Sequence, residues 1–89
     1  MEFKYFITYA KMVQSEDLDL PKKFEKMGKT LKKYKVELVF WGHPFGTTED
    51  VMYLMKGDVK DYQNAVQQSD LSEAMGFVTN SRTHFVLAP

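Results

Sequence analysis

The chain contains no cysteine. Disulfides, thiolate metal sites, iron–sulfur clusters and a cysteine nucleophile are therefore excluded. The absence fits a reducing, cytoplasmic compartment. Proline and glycine are sparse, three and five in 89 residues. There is no internal repeat and no low-complexity linker, and a chain this short has material for one core, so residues 1–89 are expected to form a single domain. Neither sign of charge is in excess: 12 basic residues face 12 acidic ones. Total charge thus gives no sign of a nucleic-acid or membrane partner. No apolar run reaches the roughly 18 residues of a bilayer span. The N-terminal MEFKYFITYAK has no long apolar stretch and no cleavage site, so a signal peptide is not expected. What the chain does have is apolar mass: 44% hydrophobic and 15% aromatic residues, too much for a disordered chain.

That mass is distributed in short blocks. Residues 3–10 are aromatic and β-branched at strand length. Residues 11–19, KMVQSEDLD, are polar and acidic and read as a loop, long enough to serve as a lid. Leu20, Phe24, Met27 and Leu31 recur at helical spacing, with Pro21 suited to a first turn and Gly28 as a mild weakness. Residues 36–41 form a second strand. Gly42, Pro44 and Gly46 then break the chain, and residues 51–55 form a third strand. Asp58 is a good N-cap for a helix with Val59, Tyr62, Ala65 and Val66 on one side. Ser69-Asp70 reads as a second cap before a short turn over residues 72–75, which Gly76 ends. Asn80-Ser81 reads as a turn, and residues 83–87 as the last strand.

The order β-α-β-β-α-β predicts a ferredoxin-like α+β fold. Its four-stranded antiparallel sheet carries two helices on one face, and right-handed crossovers give the strand order 4-1-3-2. In such a domain the strands should be apolar on one side only. Here they are apolar on both. Phe3, Tyr5, Ile7 and Tyr9 oppose Phe6 and Ala10; Val36, Leu38 and Phe40 oppose Val39 and Trp41. In the same way Val51, Tyr53 and Met55 oppose Met52 and Leu54, and Phe85 and Leu87 oppose Val86. The uncovered face has a footprint of about 320 Å² from strand spacing and length. Covering it is worth on the order of 8 kcal/mol per subunit as an upper bound. With no further domain available, the economical cover is a second copy, so a homodimer through the open sheet face is expected.

With these features the chain resembles the dimeric α+β barrel proteins. The resemblance rests on the element order, the doubly apolar sheet, the stretch GHPFGTTEDVMYLMKGD at 42–58, and the tail GFVTNSRTHFVL at 76–87. It implies a homodimer in which two sheets form a barrel. The family holds cofactor-free monooxygenases, lactone isomerases, polyketide cyclases, haem-dependent relatives and many proteins of unknown role, and fold alone does not choose among them. Haem-binding relatives use a histidine on a helical segment, and neither predicted helix here has one. Cyclase relatives carry a histidine between the second helix and the last strand, where this chain has Ser69-Asp70-Leu71-Ser72-Glu73. The resemblance therefore implies neither haem nor cyclase chemistry, and no cofactor is expected.

The residues that could carry chemistry are few. His43 and His84 are the two histidines, and either is suited to act as a base near neutral pH. The first follows the second strand and the second lies near the start of the fourth. In the 4-1-3-2 order they sit toward one end of the sheet, on opposite edges. Their spacing makes no recognisable metal set, even with Glu49 or Asp50 added. Tyr5, Tyr9, Trp41, Tyr53 and Tyr62 suit an aromatic pocket for a small flat organic ligand, although strand aromatics usually serve as core or interface. The expected ligand-binding set is Tyr9, Trp41, Tyr53 and His84. If the protein is an enzyme, His43 is the expected catalytic base of a cofactor-free monooxygenase or isomerase, with Tyr53 or Trp41 positioning an aromatic or polyketide-like substrate. Residues 22–35 hold seven lysines against one glutamate, most simply a solvated helix face. An RNA-binding module would need aromatic groups and basic groups on the same open sheet face. The lysines lie on the helix instead, so nucleic acid is not an expected partner. The leading expectation is a small-ligand-binding homodimer.

Overall fold

The structure is a computed structural model describing residues 3–13 and 19–87. Four strands, β1 (Phe3–Met12), β2 (Glu37–Gly42), β3 (Val51–Lys56) and β4 (Val78–Leu87), form one antiparallel sheet. Three helices, α1 (Leu20–Lys33), α2 (Val59–Ala65) and α3 (Ser69–Ala74), pack on one face of it. The strand order is β2-β3-β1-β4, which is 4-1-3-2 counted from the other edge. The second half thus contributes two short helices where the sequence suggested one helix and a turn.

The caps explain the helix boundaries. Asp19 accepts the backbone N–H of Lys22 with Pro21 in the first turn, and Asp58 accepts that of Lys60. Both satisfy donors that a helix start leaves open. The expected cap at Ser69-Asp70 is not one. α3 starts at Ser69 with Gln68 in the cap position and no capping side chain. Asp70 instead ties α3 to the end of α1, accepting from Lys33 Nζ at 2.6 Å and Tyr34 Oη at 2.8 Å. Lys33 holds the Asp70 carboxyl below the usual range, and Tyr34 adds to the effect.

Register divides the side chains between two faces. On the covered face Phe6, Ala10, Val51, Tyr53 and Met55 are buried against Phe24, Met27 and Leu31 of α1, Ala65 of α2 and Leu71 of α3. Phe24 stacks on Trp41 at 4.5 Å, and Tyr62 stacks on Phe6 at 4.4 Å. Gly28 lies here, where a Cβ would make an ordinary 3.5 Å contact with Leu38 of β2.

Register shifts change what was expected of β2 and of the start of β4. The β2–β3 register shifts between Leu38 and Phe40, so Val39 is an extra residue. The bulge puts Leu38 and Trp41 on the covered face and turns Phe40 away from it, whereas unbroken alternation had grouped Phe40 with Leu38. In β4, Asn80 and Ser81 are not a turn before the strand but a bulge inside it: the register shifts between Tyr9 and Lys11, and Asn80 sits at φ 51. Asparagine adopts that left-handed conformation at low cost. β4 therefore begins at Val78, and His84 lies well inside it. β1 also runs two residues further than expected, through Met12. The rest of the lid-like segment, residues 14–18, lies outside the described residues. Val66, expected on the apolar side of the second helix, is 43% exposed just beyond its end.

The Asp70 clamp has a pH signature. A depressed carboxyl stabilises the fold above its ordinary value of 3.8 and loses that contribution as pH falls through the lowered value. Lys33, raised above 10.5 mainly by the same bond, loses its contribution as pH rises through its own raised value. We expect Asp70→Asn to lower the urea midpoint at pH 7 and the gap from the parent to close as pH falls through the lowered Asp70 value. A gap that stays constant down to pH 2 would exclude this ion pair as its source.

Candidate functional site

The sheet register lines up polar groups inside the covered face. One row across the four strands carries Trp41, Tyr53, Thr8 and Thr83. Thr8 is 2% exposed, and its hydroxyl pairs with that of Thr83 at 2.8 Å. Tyr62 reaches over from α2 and donates its phenolic proton to Thr83 Oγ1 at 3.4 Å. Tyr53 is fully buried, and its hydroxyl has no hydrogen-bond partner. Leaving such a group unmade costs about 1–3 kcal/mol, so one needs a reason. Burial, with Tyr62 nearby, pushes the Tyr53 phenol well above its ordinary value. It therefore keeps its proton and acts as a donor, not a base.

A cleft of about 310 Å³ opens beside this row. The hydroxyl-bearing residues Tyr53, Tyr62, Thr83, Ser72 and Ser81 line it, together with the apolar Val66, Leu71, Met75 and Val78. It lies between the covered face and the α2–α3 pair. Its polar edge at Ser81 lies where β4 bulges, two residues before Thr83. None of the residues lining the cleft carries a charge.

The expected site residues do not form one constellation. Tyr53 and Trp41 lie on the covered face, and only Tyr53 of the two borders the cleft. Tyr9 and His84 lie on the opposite, open face, with their rings 6.2 Å apart. His84 Nε2 accepts from Arg82 Nη1 at 2.7 Å, because a guanidinium only donates, and this leaves the imidazole proton on Nδ1. The Arg82 guanidinium sits 4.6 Å over the Tyr9 ring and bonds Glu49 from Nε at 2.6 Å. Arg82 in turn holds the Glu49 carboxyl below its usual range. His43 is exposed past the end of β2. Its Nδ1 bonds the Asp50 carbonyl at 3.0 Å, and its ring lies 6.0 Å from that of Trp41. His43 does not line the cleft, and β3 and β1 separate its strand from that of His84. Among the described residues, no three metal-ligating side chains gather.

Sequence reasoning missed Thr8, Thr83, Ser72 and Ser81. A signal existed for the first two. Thr8 falls between Phe6 and Ala10, and Thr83 two residues before Phe85, at the buried parity of apolar strands. A polar residue at such a position must find a partner inside. Ser81 has the parity of Thr83 but lies before the expected start of the last strand, and Ser72 joins through α3, which the sequence suggested only as a turn.

No protein-family profile matches the chain, and no curated protein matches it. Solved structures do. The RPA0582 protein of unknown function from Rhodopseudomonas palustris superposes with a TM-score of 0.58 at 12% identity, over 96% of this chain and 82% of that one. Protein YJCS superposes with a TM-score of 0.54 at 15% identity, over 93% and 98%. At these identities the likeness is one of fold alone: an α+β domain with a four-stranded antiparallel sheet.

If the Tyr53 hydroxyl serves a ligand and not the fold, deleting it should not weaken the empty protein. We expect Tyr53→Phe to match the parent or exceed it by about 1 kcal/mol in urea unfolding. A loss of that size or more would show that the hydroxyl has a structural partner.

Proposed function

We propose that the protein is a ferredoxin-like, dimeric α+β barrel that binds a small organic ligand in the cleft between the sheet and the α2–α3 pair. The observation that carries this reading is the buried, unpartnered Tyr53 hydroxyl at a cleft lined by hydroxyls and apolar groups. An apolar site with a few convergent polar groups is the usual form of a small-molecule pocket. The strand order, equivalent to 4-1-3-2, supports the ferredoxin-like layout.

The open face supports the second copy. Three rows of side chains cross it. Glu37, Lys56, Tyr5 and Val86 form one; Phe40, Leu54, Ile7 and His84 form the central one; Gly42, Met52, Tyr9 and Arg82 form the third. The central row is apolar except for His84 at its β4 end, and Phe40 in it is 51% exposed. Charge sits toward the two ends, as Lys56 opposite Glu37 and as Arg82 held by Glu49. An apolar centre with a polar rim is the anatomy of a protein interface, and a twofold axis would set each such centre on its copy.

Two measurements test the two halves of the reading. Sedimentation at micromolar concentration should give twice the 10.4 kDa chain mass, and Leu54→Lys should give a folded species of the chain mass. A parent that sediments only as a single chain overturns the dimer. For the cleft, nuclear magnetic resonance titration with a panel of small aromatic compounds should move Tyr62, Leu71, Met75 and Thr83, equally in His43→Ala. Shifts confined to the open face, or turnover that disappears in His43→Ala, would favour the enzyme reading centred on His43.

A further inference from the structure

The chemistry of the cleft restricts what it can hold, and this deepening rests on the cleft being a binding site. Its lining carries no charged side chain, so an ionised ligand would be desolvated there without a counter-charge, at heavy cost. Its volume is about 310 Å³. An apolar cavity of about 150 Å³ already admits benzene, so this one has room for a substituted aromatic ring.

The hydrogen bonds settle which polar group is wanted. Thr8 and Thr83 satisfy each other, and Tyr62 spends its proton on Thr83. Tyr53 remains: the Thr8 hydroxyl lies near it, but its Oη makes no hydrogen bond of good geometry. Burial keeps its proton in place across the neutral range. A donor of this kind is completed by a neutral oxygen acceptor entering from the cleft. A carbonyl oxygen suits it best, because it accepts along its lone pairs and needs no proton placed in return.

We propose that the cleft binds an uncharged aromatic compound through its carbonyl oxygen, with Tyr53 Oη donating to that oxygen. The apolar part of the ring packs on Leu71, Met75 and Val78, and selectivity against carboxylates follows from the absence of any cation in the lining. The remaining hydroxyls, on Ser72 and Ser81, then serve ring substituents.

Three probes of similar shape separate the terms: acetophenone, benzoate and ethylbenzene. Each is titrated into the full chain and into Tyr53→Phe, following backbone amide shifts at Leu71, Met75 and Thr83. Acetophenone should bind the parent about tenfold more tightly than either other probe. Tyr53→Phe should remove most of that advantage and leave ethylbenzene unchanged. Benzoate binding as tightly as acetophenone overturns the assignment, as does an acetophenone affinity unaffected by Tyr53→Phe. So does ethylbenzene equalling acetophenone in the parent, an outcome that needs no variant and would mean that water serves Tyr53. In those cases the cleft still binds and the broader reading stands. If none of the three probes moves the cleft residues, the broader reading fails as well.

Discussion

A four-stranded sheet has two faces, and the three helices of this chain lie on one of them. That constraint governs the molecule. β1 and β3 carry apolar groups at both parities, so whichever face the helices take, another apolar face is left outside. The helices take the face of Phe6, Tyr53 and Met55, where α1 lays Phe24, Met27 and Leu31 across β2 and β3. Ile7, Leu54 and Phe40 are left on the other. The area at stake is near the largest apolar patch that ordinary monomers carry, which is why self-association is the natural physical reading of the open side.

Polar groups are placed differently on the two sides. Outside, they are ions in pairs. Glu49, whose side chain is 10% exposed, reaches Arg82, and Arg82 also holds His84 and covers Tyr9. Pairs of this kind contribute little to stability when solvated but fix orientation when a surface is covered. Inside, the polar groups are hydroxyls, which can be buried once they are hydrogen-bonded. Thr8, Thr83 and Tyr62 meet that condition and Tyr53 does not. A protein selected for stability alone would have a phenylalanine at position 53. The extra oxygen is the observation on which the proposed binding role rests.

Much of the fold was legible in the residues. Phe6 and Ala10 against Tyr5, Ile7 and Tyr9, and Val51, Tyr53 and Met55 against Met52 and Leu54, announced two-faced strands, and the structure keeps both groupings. The helical spacing of Phe24, Met27 and Leu31 marked the buried stripe of α1. The errors cluster at the bulges. Val39 is β-branched and apolar, like its neighbours, so nothing in composition flags it as the extra residue. Asn80-Ser81 has the chemistry of a turn, and only pairing with β1 keeps the chain extended on both sides of it. Of the candidate site, Tyr53 and Tyr62 were legible as aromatic groups. Their joining with Thr83, Ser72 and Ser81 was not.

The sequence by itself determined the element types, the two-sided oiliness of the sheet and the absence of thiol chemistry. These depend on residue identity and on spacings of two or about 3.6 along the chain. Tertiary structure alone decided which apolar face the helices cover, how Leu38 and Trp41 come to share it, and that Tyr9 and His84 are parted from Tyr53. Those outcomes depend on register, and one extra residue in a strand moves every following side chain to the other face. The unpartnered Tyr53 proton is of the same kind: the phenol is written at position 53, but its lack of an acceptor is a property of everything packed around it.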